Sequence, residues 1–180
     1  MRISGNIYIA LMKLLTLITF LAASLLLFSC QKEGLSPETP DVNYYMKATK
    51  NNKAWTALNL TSIKKTGTDT LTLTAQAIPE GSTLPEETLI ITLKANDEGK
   101  YQPIRNKTAF ITTIGLDVIS KTYVLINDNS STVTITDLDE EEKTVEGSFA
   151  LHFKNNAKGA PASDVITFKS GDFLSPIRYQ

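Results

Sequence analysis

The run Thr70-Leu71-Thr72-Leu73-Thr74-Ala75-Gln76-Ala77 puts an apolar residue at every second position. A repeat of two collects those side chains on one face of an extended strand and the threonines on the other, whereas a helix would scatter them around its circumference. Val133 and Ile135 stand between threonines in the same way. Parity also sets Val145, Gly147, Phe149, Leu151 and Phe153 inward, and Glu146, Ser148, Ala150, His152 and Lys154 outward. Threonine occurs 23 times in the 180 residues, and β-branched side chains suit a pleated, half-buried surface.

Runs of this kind are predicted at Tyr44 to Thr49, Ala54 to Leu60, Thr70 to Ile78, Thr88 to Ala95, Thr108 to Ile114, Lys121 to Ile126, Thr132 to Thr136, Thr144 to Lys154 and Asp164 to Ser170. Turn chemistry separates them: Lys50-Asn51-Asn52-Lys53, Thr66-Gly67-Thr68-Asp69, Pro79-Glu80-Gly81-Ser82, Asn96-Asp97-Glu98-Gly99, Asn127-Asp128-Asn129-Ser130 and Asn155-Asn156-Ala157-Lys158-Gly159. Parallel crossovers need a dozen or more residues, so the close spacing argues for antiparallel packing. The expected fold is all-β, a two-sheet antiparallel sandwich of about eight to ten strands with a closed barrel as the alternative, forming one domain over residues 43–180.

The first 29 residues read as an export signal. Leu14 to Phe28 is a 15-residue apolar block interrupted by Thr16, Thr19 and Ser24, preceded by Lys13 and followed by Ser29-Cys30. As a signal helix it would span about 22 Å, short of the bilayer's hydrocarbon core, which fits a cleaved signal better than a permanent span. Ile7 to Met12 lengthen the apolar stretch, leaving a retained anchor as the alternative, and translation opens at Met1 or at Met12. Leu27-Phe28-Ser29-Cys30 resembles a bacterial lipobox, which implies lipidation of Cys30 as the mature N-terminus; the other reading is an incidental cysteine after an ordinary secretory signal. Residues 30–42, with Pro37 and Pro40 and no apolar period, read as a flexible tether. The expected location is the cell envelope, on an outer-membrane lipid anchor facing the periplasm or the cell surface.

Chemistry-bearing constellations are sparse. Eighteen basic against nineteen acidic residues provide no field for nucleic acid, and one cysteine excludes an intrachain disulfide or a cysteine-built zinc site. His152 is the single histidine; Ser148 shares its face but lies about 13 Å away along an extended strand, so the two form no dyad. His152 is expected to face solvent. The acidic run Asp137-Leu138-Asp139-Glu140-Glu141-Glu142 lacks the glycine and ligand spacing of a calcium loop and reads as a solvated connector. Trp55, with Tyr44 and Tyr45 across the predicted hairpin, is open to two readings, a core residue or an aromatic binding surface for a sugar or protein. No cofactor and no metal are expected. These features point to a non-enzymatic binding or assembly module with a protein or glycan partner; the alternative is a carboxylate-dependent glycan hydrolase or an accessory subunit of a glycan-processing system.

The stretch Tyr45-Met46-Lys47-Ala48-Thr49-Lys50-Asn51-Asn52-Lys53-Ala54-Trp55-Thr56-Ala57 resembles the opening hairpin of a group of small Bacteroidetes-type lipoproteins. Val133 to Asp139, Lys143 to Phe149 and Ile166 to Phe173 resemble that group's C-terminal strands, and Gln31-Lys32-Glu33 is similar to the charged export tag of its surface-displayed members. Asn51-Asn52 replaces the commoner glycine-containing turn. The resemblance implies a lipid-anchored β-domain and brings no catalytic residue with it.

Overall fold

The computed structural model describes residues 43–126 and 129–180. Residues 1–42, with the expected export signal, Cys30 and the expected tether, lie outside the described residues. Eleven strands follow one another: β1 Tyr45–Lys50, β2 Lys53–Thr56, β3 Asn59–Lys64, β4 Thr70–Ala77, β5 Glu87–Lys94, β6 Gly99–Tyr101, β7 Ala109–Ile114, β8 Val118–Leu125, β9 Thr132–Asp139, β10 Thr144–Asn155 and β11 Val165–Tyr179. They form one continuous sheet in the order β2-β1-β11-β3-β4-β5-β7-β8-β10-β9-β6. The alternation in β4 is obeyed to the last residue, with Leu71, Leu73, Ala75 and Ala77 all buried.

The all-β fold and its sandwich-like packing follow the sequence expectation, while the pairing differs in detail. Two separate sheets are replaced by one, because β10 and β11 are long enough, at 12 and 15 residues, to serve both halves. β10 pairs with β9 through its first part and with β8 through Phe153–Asn155, and β11 pairs with β1 up to Leu174 and with β3 from Ile177 onward. The β3–β11 pairing is parallel. The run from Ala54 to Leu60 divides into β2 and β3, since Ala57 and Leu58 turn their N–H groups to Met46 and Gln76. β6 begins at Gly99, the last residue of a predicted turn, and is too short to show alternation.

β11 continues nine residues past its expected end. Lys169 and Ser170 together face the single Ala150, a bulge that bends the strand instead of stopping it, with Ser170 at φ 49°. Gly171 makes the bend possible, because a Cβ there would lie 2.5 Å from the Phe149 ring. Gly147 meets a similar demand, its absent Cβ falling 2.2 Å from the Thr134 carbonyl oxygen. Pro176 falls between the end of the β1 ladder and the start of the β3 ladder, so its missing N–H interrupts neither.

Phe168 is the centre of the core. Its ring meets Trp55 edge-on at 5.3 Å, Phe110 at 5.4 Å, Phe153 at 6.1 Å and Phe149 at 6.3 Å. Edge-to-face contacts at such separations add stabilisation beyond burial alone.

Candidate functional site

Four connections meet at one end of the sheet: Asn51-Asn52, the segment 78–86, the hairpin tip Gly115-Leu116-Asp117, and the segment 156–164. Side chains stitch them together. Lys53 pairs with Glu80 at 2.6 Å, Glu86 accepts from the Gly115 N–H at 2.8 Å, and Lys121 pairs with Asp164 at 3.0 Å. Asn51 Nδ2 donates to the Val165 carbonyl and Asn51 Oδ1 accepts from the Thr167 N–H. Asn51 and Asn52 both hold positive φ, as the two-residue turn requires.

The deepest arrangement lies behind this rim. Glu87, the first residue of β5, is 5% exposed and accepts from the Trp55 indole N–H at 2.9 Å while its other oxygen holds the Lys50 ammonium. The Lys50 ammonium also lies over the Phe110 ring at 5.4 Å. Trp55, 5% exposed, thus takes the core role of the two that its sequence position left open, with its polar edge answered by a carboxylate. A cleft of about 420 Å³ opens beside it, lined by Lys50, Lys53, Trp55, Ile78, Glu80 and Glu87 among others. Each of its carboxylates is paired with a lysine, and hydrogen bonding from Lys53 draws the Glu80 carboxyl below its ordinary range while the same contact raises Lys53.

Asp164 organises a second cluster. Asn155 Nδ2 donates to it at 2.8 Å, Lys121 at 3.0 Å and the Tyr123 hydroxyl at 3.0 Å. The hydrogen bonds from Asn155 and then Lys121 hold its carboxyl below the usual value, Lys121 is raised in return, and burial pushes the Tyr123 phenol up. Two further clefts flank the rim, one of about 410 Å³ between Ile119–Thr122 and Asn155–Ala157, the other of about 350 Å³ along Asn51, Asn52, Val165 and Lys169.

Tyr44 and Tyr45 stand apart from this end. Tyr44 is 41% exposed, and Tyr45 pairs with Leu174 and carries the Lys47 ammonium over its ring at 5.1 Å. Trp55 pairs with Ala48 instead, about 10 Å further along β1, so the three aromatics do not converge. His152 is half-buried rather than solvent-facing, because Ser130 and Ser131 pack back beside β10: Ser130 Oγ lies 2.8 Å from Nδ1, and the His152 N–H donates to Ser131 Oγ. Ser148 faces Thr134 and Asp172 on neighbouring strands. In the acidic run, Asp139 caps the turn by accepting from the N–H groups of Glu141 and Glu142, and Glu140 pairs with Lys64. Among the described residues no three metal-ligating side chains come together.

Glu87 is absent from the sequence-derived candidates. It shares parity with Leu89, Ile91 and Leu93, so extending that run by one residue marks it as inward-facing, an unusual place for a carboxylate.

The family model described as "Domain of unknown function (DUF6252)" matches residues 43–175, and the chain belongs to that family. No curated protein and no solved structure matches the chain.

Proposed function

We propose that this member of the DUF6252 family is a lipid-anchored protein of the cell envelope whose β-domain is a non-enzymatic binding module, with the ligand received at the stitched turn end. The observation that carries this reading is the pair of clefts at that end, one beside Lys53, Trp55 and Glu80 and the other along Asn51, Asn52 and Lys169. The chain enters β1 at Tyr45, and the six residues of that strand separate this point from the Asn51-Asn52 turn by about 20 Å.

Photo-crosslinking residues placed at Asn52 and Leu84 should give a discrete adduct in intact cells, and the same groups at Thr66 and Glu141 should give none. Adducts only from Thr66 or Glu141, or no adduct at all, would sink the binding reading. Anchoring is tested separately: Cys30→Ala should abolish labelling by a fatty-acid analogue, and retained label would remove the lipid anchor. Protease access to intact cells then distinguishes surface from periplasmic display.

One observation favours the hydrolase alternative, the presence of Glu80 and Glu87 in a single cleft. Glu87, however, has both oxygens engaged, one by the Lys50 ammonium and one by the Trp55 indole N–H, which leaves neither for acid–base work. Release of reducing ends from an envelope polysaccharide by the purified protein, lost in Glu80→Gln, would replace the binding reading with the hydrolytic one.

A further inference from the structure

β8 carries a second kind of surface. On one side it pairs with β7 along its length, from Ile114↔Val118 to Ala109↔Val124. On the other it meets β10 only at Tyr123, Val124 and Leu125, and the last bond there runs from the Asn156 N–H to the Thr122 carbonyl. Beyond that bond the chain leaves the sheet. Among the described residues no strand lies against Val118 to Lys121, and the place one would occupy is the 410 Å³ cleft between Ile119–Thr122 and Asn155–Ala157. The first two side chains of this edge are apolar and unshielded: Val118 and Ile119 are each 62% exposed. An open edge of this kind is a template for pairing with another strand. The strands at the two ends of the sheet order, β2 and β6, are only four and three residues long.

We infer that a second copy of this chain fills the slot, β8 against β8 and antiparallel about a two-fold axis, so that the sheet runs from one molecule into the next. Two identical strands paired antiparallel have that symmetry without further adjustment. The charge pattern selects the register. Centring the pair on Ile119 sets Val118 opposite Ser120 and Asp117 opposite Lys121 of the second copy, giving two attractive pairs, whereas centring it on Lys121 would oppose like charges. Lys121 already donates to Asp164 but keeps a half-exposed side chain, so a second carboxylate adds to that contact.

One further observation fits. Leu116 sits at the hairpin tip with φ 73°, a left-handed conformation costly for a leucine, and at 48% exposure finds little cover within its own chain.

The test uses the whole chain in detergent with Cys30→Ser, which removes the native thiol. Residues facing each other across an antiparallel pair have Cα atoms about 4.5–5.5 Å apart, within disulfide range. Under mild oxidation Ile119→Cys should therefore give about tenfold more covalent dimer than Leu58→Cys, a cysteine at an exposed position elsewhere. Adding Asp117→Lys should lower the Ile119→Cys yield, and adding Lys121→Asp to that variant should restore it. Restoration also shows that the fold has survived both changes. Dimer no more abundant than with Leu58→Cys, or a yield indifferent to the charge at residue 117, would overturn the proposal.

Discussion

β4–β5 and β7–β8 are neighbouring hairpins written in the same alphabet of threonine and aliphatic residues, yet they spend it differently. Across β4 and β5 the inward residues Leu71, Leu73, Ala75, Leu89, Ile91 and Leu93 are wholly buried, and Thr72 and Thr92 meet on the other face. In β7–β8 the rule holds as far as Phe110 and Tyr123 and then lapses: Ile114, Val118 and Ile119 are each more than 60% exposed. Both hairpins are antiparallel ladders of ordinary strand residues. What separates them is reach, because the tip of β7–β8 extends past the last strand that could cover it. Strand-forming character is therefore a property of the residues, while burial is a property of where the neighbours stop.

The widest separation between the two regions should appear on truncating the core and charging the tip. Phe168→Ala removes the ring that four other aromatics touch and is expected to destabilise the domain by about 3–5 kcal/mol, whereas Ile119→Lys should change it by less than about 0.5 kcal/mol, both read by chemical denaturation. Similar losses would mean that the tip belongs to the core.

A second contrast uses the smallest possible addition. Gly171→Ala inserts one methyl against the Phe149 ring and should cost about 1–3 kcal/mol through forced displacement. Gly115→Ala, at the tip, meets no atom within 4 Å and should cost only what its positive φ imposes, about 1 kcal/mol. Equal penalties would remove the crowding account of the β11 bend. At the apex itself Leu116→Asn relieves the left-handed strain and should raise stability by up to about 1 kcal/mol; a loss of that size would show that Leu116 makes a stabilising contact within its own chain.

The smallest effect is confined to acid. Asp164 binds its proton less readily in the folded state than in the unfolded one, so it contributes stability that is present above its unfolded value of about 3.9 and disappears as pH falls through the lower folded value. Melting temperatures followed downward from pH 6 should show a shallower acid decline in Asp164→Asn than in the unaltered protein, and parallel curves would count against the cluster with Asn155, Lys121 and Tyr123.

Much of the strand pattern is legible because a period of two encodes both the element and its facing; β4 and β10 declare themselves in this way. The features that escape depend on meetings between distant segments. Whether Ser170-Gly171 ends a strand or bends it is decided by the Phe149 ring twenty-one positions earlier, and β6 exists because β9 lies beside it. The candidate site is legible in pieces only. Trp55 stands out as the lone tryptophan, but its polar partner comes from β5, 32 residues away, and the serine that meets His152 comes from the connection before β9 rather than from its own strand.

The place of β11 has a consequence for when this protein can fold. The last strand of the chain lies between β10 and β1, reaches β3, and supplies Phe168. Until residues 165–179 have left the ribosome, β1 and β3 lack the neighbour that joins them to β10 and the aromatic cluster lacks its centre, so the sheet cannot close around its core during synthesis. Pairings this distant in sequence also form slowly, since the loop must close before its contacts repay the lost freedom. The ten strands made first therefore wait, unclosed, for the C-terminus to follow.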